Sequence, residues 1–155
     1  MFINPVHLFL YMPRIQIELP EQMDFVCRLP VRITDINYGN HAGNHSIVAM
    51  VHEARVQFLQ RLGYGELELE GTGMIMSGLQ VAFKAELFYG DVVDVYMAAG
   101  EFTRVGFELF YRLEKATEAG NITAVHAQTG MVCYNYALKK VAQLPDAARK
   151  KLSGG

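Results

Sequence analysis

Several kinds of protein are excluded by what this chain has little of. Its charges nearly cancel, with 14 Lys and Arg against 16 Asp and Glu, so it lacks the basic excess that holds a nucleic-acid backbone. Only two cysteines are present, Cys27 and Cys133, far apart in apolar, strand-like stretches. Without a Cys-x-x-Cys pair they exclude a disulfide framework, and they predict buried thiols in a reducing, cytoplasmic compartment. Residues 1–11 are apolar but too short to insert across a membrane, and they lack the basic start of a secretory signal. The serine-hydrolase elbow Gly-x-Ser-x-Gly does not occur. Gly71-Thr72-Gly73 lacks the third glycine of a dinucleotide loop and opens no helix. His41, His45 and His52 have no accompanying cysteine or acidic ligand pattern, so neither a bound metal nor a separate cofactor is expected.

What is present reads as one domain. The 155 residues contain no internal repeat or low-complexity linker, and their number suffices for a real core. Met12-Pro13-Arg14-Ile15 reads as a fresh start, so residues 1–12 are a candidate N-terminal extension and 13–155 the domain. A strand is expected over Phe25–Thr34. Apolar Ile47, Met50, Val51, Ala54, Phe58 and Leu62 predict an amphipathic helix over Ser46–Leu62. Gly63-Tyr64-Gly65 ends it, and long strand-like runs follow over Met74–Leu87, Val92–Glu101, Val105–Leu113 and Thr123–Tyr136, with a short terminal helix over Leu144–Leu152. The spacers between those runs are too short for crossovers, so the sheet is expected to be antiparallel and the class α+β. One helix covers one face. Phe83, Phe88, Phe102, Phe107, Phe110, Tyr134 and Tyr136 cannot all hide behind it, so self-association is expected.

The densest chemistry lies in Asp35-Ile36-Asn37-Tyr38-Gly39-Asn40-His41-Ala42-Gly43-Asn44, between the first strand and the helix. A helix start has backbone N–H groups without intrahelical partners, and its dipole favours developing negative charge. Asn44, His45 and Ser46 are candidate caps. Asn and Gly serve turns in any protein, so a plain turn-and-cap role stands beside a catalytic one.

In motif order the chain resembles the 4-hydroxybenzoyl-CoA thioesterase-like branch of the hotdog superfamily, over roughly Val26 to Leu144. Val31-Arg32-Ile33-Thr34-Asp35-Ile36-Asn37 is similar to that family's first strand ending in Asp-x-Asp. His41-Ala42-Gly43-Asn44 is similar to its His-Val-x-Asn, His52-Glu53-Ala54-Arg55 to its helical Glu-x-Ala-Arg, and Gly90-Asp91 to its Gly-Asp between strands. Arg104-Val105-Gly106 falls at its usual turn into the next strand. The resemblance implies a five- or six-stranded antiparallel sheet wrapped around one long helix, dimers or tetramers, and hydrolysis of an acyl-CoA or acyl-carrier thioester at the dimer interface. The family's usual second acid is replaced here by Asn37, which neither takes a proton at neutral pH nor presents an anionic oxygen.

On that resemblance Asp35 is the first candidate for the base. Asn37 is a candidate for orienting water or carbonyl, and His41 for base, donor or partner of Asp35. Asn44 and Glu53 are candidate supporting residues, and Tyr38, Gly39 and Asn40 candidate substrate contacts in the loop. Met74 to Met76 with Phe83 are candidates to line an acyl pocket, and Arg55, Arg61, Lys84 and Arg104 to hold phosphates. Two other functions remain open. A non-catalytic thioester-binding module fits Asn37 in place of the acid. An enoyl-thioester hydratase fits less well, because its Asp-x-Asn-Pro-x-His motif lacks the proline here and places the histidine one residue earlier.

Overall fold

The computed structural model describes residues 15–154, so the extension considered for residues 1–12 lies outside the described residues. Strand β1 (Asp24–Pro30) is followed by helix α1 (Asn44–Arg61), strands β2 (Gly73–Phe83), β3 (Val92–Gly100), β4 (Gly106–Thr117), β5 (Gly120–Asn135) and β6 (Lys140–Val141), and helix α2 (Asp146–Leu152). All pairings are antiparallel, and the six strands form one sheet ordered β1-β3-β4-β5-β2, with β6 paired to β5. The expected α+β hotdog arrangement is the one observed.

Alternation along the strands builds the core. Val93, Val95 and Met97 of β3, Leu109, Tyr111 and Leu113 of β4, and Val125, Ala127, Thr129, Met131 and Cys133 of β5 are buried, each two residues from the next along its strand. Against them α1 sets Ile47, Met50, Val51, Ala54, Phe58 and Leu59, also buried and spaced by a helical turn. Each such side chain contributes about 1.5–3 kcal/mol on burial. Phe110 points to the opposite face and is buried nonetheless, because a Cβ on Gly100 would lie only 3.2 Å from its ring.

Three of the boundaries that differ from the sequence expectation lie beside the candidate site. The first strand stops at Pro30, which has no N–H for the ladder. Ile33–Asp35 then forms a single 3-10 turn instead of continuing the strand. Helix α1 begins at Asn44, with Gly43 as its cap in place of Asn44, His45 or Ser46. Strand β2 ends at Phe83, because the N–H groups of Lys84 and Ala85 both turn to donate to the Ala124 carbonyl at 2.8 and 3.1 Å. The far edge of β2 has no strand partner among the described residues, and Ile75, Met76 and Phe83 stand exposed along the strand.

Candidate active site

The loop between the 3-10 turn and α1 is tied by its own backbone. The Asn37 N–H donates to the His41 carbonyl at 2.9 Å, and the Asn40 N–H returns to the Asn37 carbonyl at 3.1 Å. Asn37 Oδ1 accepts the Gly39 N–H at 2.8 Å. Asn40 sits at φ 63°, a left-handed conformation that asparagine tolerates well. At Gly39 the crowding is on the side-chain side, since a Cβ there would meet His41 Cε1 at 3.0 Å and Asn37 Oδ1 at 3.1 Å. Asn37 and His41 therefore close over one glycine.

The same loop presents the start of α1. Ser46 and Ile47 donate their N–H groups to the Gly43 carbonyl at 3.0 and 3.1 Å. No side chain among the described residues caps the helix, so the preceding first-turn amides, those of Asn44 and His45, have no intrahelical acceptor. Beside them lies a cleft of about 330 Å³ whose rim carries His41, Asn44, Lys84 and Glu86 and whose walls include Ile47 and Phe83. His41 Nδ1 is 3.3 Å from Glu86 Oε1.

Asp35 faces elsewhere. Its Oδ2 accepts the Arg32 N–H at 2.7 Å, and its carbonyl receives the Gly43 N–H at 2.8 Å and the Ser46 hydroxyl at 3.1 Å. Its carboxylate lines a second cleft of about 440 Å³, with Glu53, Arg28, Arg32 and Gln57. There Glu53 Oε1 accepts from Gln57 Nε2 at 2.7 Å. The residues singled out from sequence thus divide into two groups. His41 and Asn44 share the first cleft with Phe83 and Lys84, and Asp35 and Glu53 share the second. Tyr38 is fully exposed and, like Asn37, Gly39 and Asn40, lines neither cleft, while Met74 is buried in the core and also lines neither.

Two of the arginines considered for phosphate binding are engaged internally. Arg55 is buried, with Nε 2.6 Å from Glu66 Oε1 and Nη1 3.7 Å from Met76 Sδ. Glu66 Oε2 also meets His52 Nε2 at 3.3 Å. Burial alone raises the Glu66 carboxyl, but the hydrogen bond and charge of Arg55, joined by His52, bring it below its ordinary value. Arg61 donates to the carbonyls of Phe25 and Val26. The burial of Arg55 was readable from its helical spacing, one turn beyond Val51 and one before Leu59. Glu86 carries no local sequence signal, because its partner is remote along the chain.

A six-stranded antiparallel sheet around one long helix, with a polar loop bringing a histidine to the helix start beside a cleft, defines a hotdog-fold protein. Residues 31–152 match the family model of the thioesterase-like superfamily, and the chain belongs to that superfamily. No curated protein matches it. Among solved structures it is similar to a hypothetical protein from Thermus thermophilus, with 23% identity, TM-score 0.73, and coverage of 84% of this chain and 98% of that one. It is also similar to a 1,4-dihydroxy-2-naphthoyl-CoA thioesterase from Synechocystis, with 20% identity, TM-score 0.72, and coverage of 83% and 94%. A mutant 4-hydroxybenzoyl-CoA thioesterase complexed with 4-hydroxybenzoyl-CoA has 14% identity, TM-score 0.74, and coverage of 82% and 96%.

Proposed function

We propose that this protein hydrolyses acyl thioesters, of coenzyme A or an acyl carrier, in the cleft bordered by His41 and the start of α1. The observation that carries this reading is the shared cleft itself. It gathers a histidine, Asn44 of the first helical turn, whose amide has no intrahelical acceptor, and apolar walls from Ile47 and Phe83 around one space. Thioester hydrolysis needs a base for water, donors for the tetrahedral oxyanion and a surface that holds the acyl group in line. His41 suits the first role, because an imidazole nitrogen can accept a proton from water and return it to the leaving group. The amides at the start of α1 suit the second, aided by the helix dipole. Asn37, bound to the loop backbone, holds His41 in place, and Lys84 at the rim suits the anionic end of the carrier.

Asp35 is the weaker base on this geometry, since it caps its own turn and lines the opposite cleft. The test is free-thiol release from short, long and aromatic acyl-CoA substrates, comparing wild type, His41→Ala and Asp35→Asn. His41→Ala is expected to lose more than about a hundredfold in kcat, the scale of removing a general base, and Asp35→Asn to stay within about threefold of wild type as an altered turn. The reverse ranking would return the base to Asp35. No release from any substrate, together with thermal stabilisation by acyl-CoA, would make the protein a binding module.

The same proposal includes a homodimer or higher oligomer formed through the edge of β2 that has no strand partner among the described residues, along which Ile75, Met76 and Phe83 are exposed.

A further inference from the structure

We infer that Glu86 is the positioning residue of this site, holding His41 with its proton on Nδ1 so that Nε2 is the basic nitrogen. The inference rests on the reading of His41 as the base and adds a residue to it. Three observations converge on the pair. The backbone brings their segments together, since the N–H of Ala42, next to His41, donates to the carbonyl of Leu87, next to Glu86, at 2.8 Å, and His41 and Glu86 line the same cleft. The segment carrying Glu86 is clamped at both ends. Lys84 and Ala85 donate to Ala124, the Glu86 carbonyl accepts Lys115 Nζ at 2.8 Å, and the Leu87 side chain is buried. The His41 ring, finally, rests against Gly39, where a Cβ would lie 3.0 Å from Cε1 and 3.4 Å from Nδ1. One edge of the ring thus meets Gly39 and Glu86, and Nε2 is the nitrogen left to a ligand.

The 3.3 Å between His41 Nδ1 and Glu86 Oε1 is an ion-pair contact without the alignment of a hydrogen bond, and catalytic contacts of this kind tighten and align when substrate fills the site. A carboxylate acceptor at Nδ1 fixes the tautomer and stabilises the imidazolium that forms. In the step itself, water oxygen bonds to the thioester carbon while its proton passes to His41 Nε2. The carbon–sulfur bond then breaks, and the departing thiolate takes that proton. The Nδ1 proton stays on the ring throughout, and Glu86 remains ionised.

The experiment combines tautomer measurement with a double-mutant cycle. Nitrogen-15 NMR of the His41 ring is recorded for wild type and Glu86→Ala above the ring's titration, and kcat and KM are measured for Glu86→Ala, Glu86→Asp, His41→Ala and the His41→Ala/Glu86→Ala pair. The expected result is an Nδ1–H ring in wild type that becomes a tautomer mixture in Glu86→Ala. With it goes a loss of at least about tenfold in kcat with little change in KM, and no further loss from Glu86→Ala once His41 is gone. Partial recovery in Glu86→Asp would support the assignment further. An Nε2–H ring in wild type, or additive losses in the double variant, would overturn it. Failure of His41→Ala to lose activity removes the base assignment instead, and the NMR result then decides the pairing alone.

Discussion

Gly39 shows how narrowly the loop is fitted. Its missing side chain makes room for the His41 ring on one side and Asn37 Oδ1 on the other, so Gly39→Ala must push one of them away. The loop is at the surface, and Gly39 itself is exposed, so the fold has little at stake. The expected outcome is a fall of about tenfold or more in kcat/KM, because a displacement of under an ångström at a base is costly, with a melting temperature close to wild type. A variant as active as wild type would show that the ring position does not matter. At this scale the sequence was informative where chemistry is local. Asn37, His41 and Asn44 stand in one short polar run. The sequence put Asp35 forward and did not single out Glu86, because the contact of Glu86 with His41 joins segments remote along the chain, held beside each other by the backbone bond between Ala42 and Leu87.

At the scale of elements, α1 differs between its start and its middle. Its start carries no side-chain cap, and its middle is anchored by a charge. Arg55 sits on the buried face among Val51, Ala54, Phe58 and Leu59 and reaches Glu66 in the connection to β2. Replacing it with alanine leaves Glu66 without its main cation and opens a void. The expected loss in denaturant unfolding is about 2–3 kcal/mol, below the range for a fully buried pair because Glu66 keeps access to water. Arg55→Met, which refills the space, is expected to recover part of it only if Glu66 is also made neutral. Full stability of Arg55→Ala would mean that the pair is incidental. The helix and the strands were legible from periodicity, since apolar spacing at 3.6 and at 2 is the direct consequence of a one-sided core. The ends were not. Pro30 stops a run that composition alone would extend to Thr34, and β2 ends where two N–H groups turn toward one carbonyl.

For the whole molecule, the same carboxylates set the response to acid. Burial raises Glu66 and Asp91, but Arg55 and His52 on the first, and the Phe88 N–H with Lys115 on the second, bring both below their ordinary values. The Arg28 hydrogen bond does the same for Asp94. A carboxyl whose pKa is lower folded than unfolded contributes stability that is fully present above its unfolded pKa and is lost as pH falls through the folded one. Thermal unfolding is therefore expected to be insensitive to these groups at neutral pH and to weaken as pH drops below about 4, the ordinary carboxylate range. Arg55→Ala should flatten part of that acid slope, because it removes the interaction that lowers Glu66.

The free edge of β2 is the remaining demand the fold makes on its surroundings. A strand edge without a partner among the described residues, with Ile75 and Met76 exposed on the strand, is a template for another strand. The strand carries no Lys, Arg or Pro to discourage pairing, since Gly73–Phe83 reads GMIMSGLQVAF. A second copy satisfies the edge without a new surface, because an antiparallel pair of identical strands is symmetric about its centre. Sedimentation velocity is accordingly expected to give a dimer or a multiple of it for wild type. Ile75→Lys combined with Met76→Lys should shift the protein to a monomer, since charge on an edge strand is what blocks pairing. If the cleft beside His41 is completed by the partner, thiol release should fall with dissociation and return at high protein concentration. A monomeric wild type would remove the β2 pairing from the proposal, while a dimer untouched by both lysines would move the interface to another surface.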